Sequence, residues 1–199
     1  MNTPSLLQTF TVWKDARLER AVRRFPRWIT PNGLTVLRIF LSIPLVWAAG
    51  TGHIVTAAGL FLFSMLTDLA DGPLARTSGQ VTTFGKYADP LADKLIFLPL
   101  VYIVGHNQIP ALILWTILGL EIGLILIAVI LKPIGARLGI QLEAGANIYG
   151  KFKMAIQTIG ALLLLGSFGF PALLIVAQIL LALSIPLSVL SIVKHLVRF

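Results

Sequence analysis

The chain has 199 residues, 57% of them hydrophobic and only 12% charged, with a mean hydropathy of +0.90. Soluble domains carry roughly 25% charged residues, so the composition excludes an ordinary soluble enzyme and predicts an integral membrane protein. The absence of cysteine excludes a disulfide framework and any thiolate metal or redox centre.

A net charge of +8 would by itself suit nucleic acid, but the basic residues are placed for a membrane. Six of the sixteen, Lys14, Arg17, Arg20, Arg23, Arg24 and Arg27, precede the first apolar run. Such segments are attracted to anionic headgroups, and no nucleic-acid partner is expected. Residues 12–28, VWKDARLERAVRRFPRW, read as an interfacial amphipathic helix, with Val12, Trp13, Ala16, Ala21, Val22 and Phe25 on its apolar side. The plainer alternative is a topology signal alone. The basic cluster lies well inside the chain and an apolar span follows it, so no cleavable signal is expected.

Six apolar segments follow, at about 32–50, 54–75, 84–104, 110–131, 149–166 and 171–193, each near the ~20 residues that cross a bilayer as a helix. The predicted fold is therefore all-α, with six transmembrane helices and the N-terminal interfacial helix. Residues 1–29 form a cytoplasmic arm and 30–199 one membrane domain. Turn-formers punctuate the spans at Gly50-Thr51-Gly52, Gly105–Pro110 and Gly166–Pro171. The loops 50–53, 105–109 and 167–170 carry no Lys or Arg. The opposite side carries the N-terminal cluster, Arg76 and Lys86, then Lys132, Arg137, Lys151 and Lys153, then Lys194 and Arg198. The positive-inside rule places both termini in the cytoplasm, at the inner or plasma membrane.

Four of the eight acidic residues fall within 26 positions, in the order Asp68-x-x-Asp71-Gly72-x-x-Ala75-Arg76, eight residues, then Gly85-x-x-x-Asp89-x-x-x-Asp93. Carboxylates at a membrane edge are costly and mark function by default. The i,i+3 and i,i+4 spacings put each pair on one face of its own helix. Four converging negative charges repel unless cations neutralise them, which predicts a divalent metal site. Hard cations such as Mg2+ suit carboxylate and phosphate oxygens, and Arg76 offers a phosphate-matching fork. Two metals can clamp an in-line displacement, so these parts point to phosphoryl transfer. An EF-hand reading fails because Ala70 occupies a liganding position.

This run resembles the signature of the CDP-alcohol phosphatidyltransferases, D-x-x-D-G-x-x-A-R-(x)8-G-x-x-x-D-x-x-x-D, with every fixed position present. Pro31-Asn32-Gly33-Leu34-Thr35-Val36-Leu37-Arg38 is similar to the family's first span, so the resemblance runs from about residue 30 onward. It implies a six-helix membrane fold, a homodimer, and a cytoplasmic pocket for CDP-diacylglycerol in the lipid bilayer. It further implies that Asp68, Asp71, Asp89 and Asp93 hold two divalent cations, Mg2+ or Mn2+, and that Asp93 is the general base. Asn32, Thr35, Gly72, Ala75, Arg76 and Gly85 are expected to bind the CDP-lipid.

Within the family, Thr82 to Lys94 most resembles the phosphatidylglycerophosphate synthases, as does the segment from Ala146 to Gln157 with its G-K-x-K-x-x-x-Q pattern. The implied acceptor is glycerol 3-phosphate, with Arg38, Arg137 and Lys151 as its binding residues and Lys153 as a weaker candidate. One departure stands out: those synthases carry Arg-Glu-Ile in the fourth span, where this chain has Leu120-Glu121-Ile122. That keeps other acceptors open, including phosphatidylglycerol as in a cardiolipin synthase, or an inositol phosphate.

Glu121 lies mid-span and requires a partner or water, as a pocket residue or as a structural hydrogen-bonding group. Pro73 and Pro90 either shape the pocket or mark helix boundaries. His53, His106 and His195 share no metal-binding spacing. A cation or proton transporter is the rival from another class, but repeat symmetry and a midplane site are not legible.

Overall fold

The computed structural model describes residues Val22, Pro26, 29–78, 83–131, 134 and 148–196. The amphipathic helix expected over 12–28 lies largely outside these residues. Among them are six α-helices: α1 (Pro31–Gly50), α2 (Ile54–Ser78), α3 (Thr83–Gly105), α4 (Ala111–Leu126), α5 (Ile148–Gly166) and α6 (Ala172–Leu196). A π-helical turn, Ile127–Leu131, continues α4.

Local chemistry sets the helix ends. Thr30 caps α1 by accepting from the Gly33 amide at 3.1 Å, and Pro31 occupies the first turn, where its missing N–H costs nothing. At the other end, the His53 amide reaches the Ala48 carbonyl at 2.8 Å and the Gly52 amide reaches Ala49 at 3.3 Å. This is a Schellman closure. Gly52 supplies its left-handed residue, at φ 78°, which a side chain would strain.

Short turns at residues 51–53, 106–110 and 167–171 make consecutive helices antiparallel. Helix α1 packs mainly on α2 and α3, and α5 mainly on α6; α3 and α5 contact across the bundle. Gly160 lets α5 approach α6 closely, because a Cβ there would lie 3.0 Å from Leu181 Cγ. Small residues at such contacts are how helices pack where lipid removes the hydrophobic driving force.

The bundle interior is divided lengthwise. At the end with the three short turns it is apolar, built from Leu45, Phe61, Leu100, Ile117, Leu164 and Leu181. Toward the other end buried polar side chains join the apolar ones: Thr35, Arg38, Glu121, Lys153, Gln157 and Ser184. The outside is greasy, with Phe40 64%, Ile43 67%, Trp47 61% and Leu112 81% exposed, the surface a lipid-facing bundle requires.

Among the described residues five helices are long and apolar enough to cross a membrane. Helix α3 is the exception despite its 23 residues, because Asp89, Asp93 and Lys94 crowd its first half. The prolines expected either to kink or to start helices lie inside continuous ones, Pro73 in α2 and Pro90 in α3.

Candidate active site at the polar end of the bundle

Thr35 and Arg38 are one turn apart on α1 and point into the bundle, with 1% and 0% exposure. An arginine buried this deeply needs anions around it, and the four aspartates supply them. Arg38 Nη1 donates to Asp68 Oδ1 and Asp93 Oδ1, and Nη2 donates to Asp71 Oδ2. Nη2 also reaches Asp89 Oδ1 at 3.3 Å. Thr35 Oγ1 donates to that same Asp89 oxygen at 2.5 Å.

Three helices therefore meet at one point. Helix α1 brings the cation, the last turns of α2 bring Asp68 and Asp71, and the start of α3 brings Asp89 and Asp93. A planar guanidinium fork can serve carboxylates arriving from two directions, which an ammonium cannot do with the same geometry. Four carboxylates against one guanidinium leave a formal charge of −3 within this group. The cluster opens on one side: the Asp89 side chain is 42% exposed, whereas Asp71 and Asp93 are 13% and 14% exposed. Arg38 Nε, also buried, has no acceptor among the described residues.

A second polar group sits next to the first. Glu121, 0% exposed on α4, accepts from Gln157 Nε2 at 2.7 Å and from Lys153 Nζ at 2.9 Å, both on α5. It also pairs with Lys94 of α3. Gln157 reaches Ser184 Oγ on α6 at 3.3 Å. Asp93, Lys94 and Gln157 line one narrow cleft against Phe61, Phe97 and Met154, so the two groups share a wall.

The remaining candidates divide. Gly72, Ala75 and Gly85 lie on the turns that carry the aspartates, and Asn32 sits in the first turn of α1. Arg76 belongs to the end of α2, but its side chain lies outside the described residues, as does Arg137. Lys151 is exposed and does not join the aspartates, while Lys153, about 200° further round α5, is 3% exposed and turned to Glu121. Arg38 is at the centre of the carboxylates. Sequence reasoning passed over Lys94 and Ser184, and it did not assign Gln157. A lone carboxylate in a span needs a cation at similar depth, and that rule alone would have pointed to Lys94 and Lys153.

The sequence model of the family described as CDP-alcohol phosphatidyltransferase matches residues 28–190. The chain belongs to this family. Among its curated relatives is a Bacillus subtilis protein named CDP-diacylglycerol–glycerol-3-phosphate 3-phosphatidyltransferase, 34% identical over 62% of this chain and 58% of that one. Proteins of the same name from Yersinia enterocolitica and Treponema pallidum are each 34% identical, over 42% and 54% of this chain and 46% and 49% of theirs. The chain spans about half the length of the curated relatives it matches. No solved structure matches it significantly.

Family membership implies divalent cations, and the donor set can be tested for them. Its ligands are hard carboxylate oxygens from two helices, the set that Mg2+ or Mn2+ prefers. They already converge on one cationic group, with negative charge left over for more. Among the described residues no three acidic groups close around a metal-sized point, because the wider guanidinium stands between them. The chemistry of the donor set fits the ions, and the buried Nε–H of Arg38, unpartnered among the described residues, offers a donor for a ligand oxygen.

Proposed function

We propose that this chain transfers a phosphatidyl group from CDP-diacylglycerol to glycerol 3-phosphate, releasing CMP. One observation carries the reading: four aspartates on two helices converge at the polar end of an otherwise greasy bundle. The relatives' printed names support the donor and acceptor.

Asp68, Asp71, Asp89 and Asp93 would hold two divalent cations. When bound, these supply Lewis-acid stabilisation of charge on the pyrophosphate. The chain's own residues do the rest. Gly72, Ala75 and Gly85 leave room for the nucleotide and its phosphates, with Asn32, Thr35 and Arg76 as further CDP-lipid contacts. Asp93 accepts the proton of the incoming hydroxyl. The hydroxyl oxygen forms a bond to the phosphorus that carries the diacylglycerol, and the bond from that phosphorus to the CMP oxygen breaks, CMP leaving with the electron pair.

Arg38, Arg137 and Lys151 are the acceptor residues in this reading. The arrangement belongs at the cytoplasmic face of a six-span, dimeric membrane protein with both termini inside, an orientation supported by the loop charges. Leu120, where the resemblance to phosphatidylglycerophosphate synthases leads one to expect arginine, favours a second reading in which the acceptor is a different alcohol.

The test is purified protein with CDP-diacylglycerol and an acceptor panel of glycerol 3-phosphate, inositol, inositol phosphate, serine and phosphatidylglycerol, with and without chelator. CMP release only with glycerol 3-phosphate, stopped by chelator and restored by Mg2+, is expected. Turnover with another acceptor alone would replace the acceptor and keep the chemistry. Turnover in chelator would remove the two-cation mechanism.

A further inference from the structure

Glu121 is a full charge placed inside the bundle, where a leucine or methionine would fill space at lower cost. It is fixed by donors from two helices: Lys94 on α3, and Lys153 and Gln157 on α5. Two lysines share this one carboxylate, so the group holds a formal +1. The aspartate group beside it holds a formal −3. The boundary between them is a single peptide bond, Asp93–Lys94, and both side chains line the same cleft.

An ammonium on a flexible stem next to an excess of carboxylates goes to them unless something stronger holds it. Lys94 is only 11% exposed, so water offers little competition. Its headgroup instead sits on Glu121, with the ammonium also over the Phe97 ring at 5.6 Å from the centroid. We propose that Glu121 is a positioning residue that captures Lys94 and keeps it off the aspartates, so that the oxygens Arg38 leaves unengaged stay available to divalent cations. The inference rests on the reading of the aspartates as the cation site. It assigns Glu121 no contact with substrate. Gln157, anchored by Ser184, and Lys153 hold the carboxylate in place for this task.

A purely mechanical role is the competing explanation, since the same contacts tie α3, α4, α5 and α6 together. The two differ in what becomes of Lys94. Without Glu121, the ammonium turns to Asp93 and its neighbours and competes with the cations. Direct Mn2+ binding to detergent-solubilised protein, followed by electron paramagnetic resonance, reads this without turnover.

Glu121→Gln is expected to weaken Mn2+ binding about tenfold or more, the scale on which a nearby charge changes a carboxylate's affinity for a cation. Adding Lys94→Met to that variant restores the affinity to near the wild-type value. Lys94→Met alone, which keeps Glu121 paired with Lys153, leaves Mn2+ affinity unchanged or tighter, and it serves if Glu121→Gln does not fold. Unchanged Mn2+ binding in Glu121→Gln overturns the inference, as does failure of the double variant to recover, or weaker binding in Lys94→Met alone. If the wild-type protein binds no Mn2+, the cation reading of the aspartates fails and the inference falls with it. If the wild type binds and the variants do not follow this order, the inference alone fails.

Discussion

Replacing Arg38 by methionine keeps much of its buried volume and removes the one cation that four aspartates share. Three of those contacts are close and the fourth is 3.3 Å. The four do not add, because they belong to one guanidinium and one network. Removing one partner of a buried ion pair costs about 3–5 kcal/mol, mostly because charge is left uncompensated. For a chain of 150–250 residues each kcal/mol moves the melting temperature by about 2–4 °C, so a fall of roughly 6–20 °C is expected in chelator. The same substitution takes the local formal charge from −3 to −4, so added Mg2+ should recover more of the loss than it adds to the wild type. At a hundredfold excess over the dissociation constant, binding contributes about 2.7 kcal/mol. The chain has four Trp and no Cys, so tryptophan fluorescence in a thermal ramp is the suitable assay and a thiol-reactive dye is not. Arg38→Lys, which keeps the charge and loses the fork, should fall between the two. Melting of Arg38→Met within about 2 °C of wild type in chelator would refute the argument that Arg38 is the resident counter-cation.

Asp93→Asn should abolish CMP release while CDP-diacylglycerol binding persists; retained turnover would sink the assignment of the base, and binding is checked by ligand-dependent melting. Gly160→Leu should destabilise the bundle by about 1–3 kcal/mol through overpacking, since a Cβ already meets Leu181 Cγ at 3.0 Å. The chelator-dependent melting shift should be unchanged in that variant, because Gly160 lies at the apolar end, away from the aspartates.

The helices were legible because turn-formers and apolar runs are local signals, and their bounds agree with the sequence reading within a few residues. Among the described residues, however, five rather than six of them are apolar enough to cross a membrane. The aspartates were legible as pairs because i,i+3 and i,i+4 spacing fixes a helix face without any tertiary information. What holds the pairs together was not. Arg38 is 30 residues from Asp68 and 55 from Asp93, and nothing local says that α1 lies across the ends of α2 and α3. The same holds for Glu121, which finds one lysine upstream on α3 and another 32 residues downstream on α5. Lys151 and Lys153 shared a charge sign and a loop side in the sequence. Only the rotation of α5 separates an exposed lysine from a buried one.

The lengthwise division of the interior explains how so many buried charges are tolerated in one small bundle. The apolar end aligns six helices mainly by packing, through Leu45, Phe61, Leu100, Ile117, Leu164 and Leu181, and so the polar end need not supply that alignment. It is free to place charges where they oppose one another: a cluster in excess negative charge and, across one peptide bond, a cluster in excess positive charge. Among the described residues neither is balanced by itself, and together they remain negative by two formal charges. An arrangement built only for stability would have closed that deficit with another cation. Among the described residues the excess negative charge stays at the aspartates, and Asp89, 42% exposed, is where the cluster opens to the surroundings; under the proposed function that opening is where a cation-loaded phosphate ligand would enter.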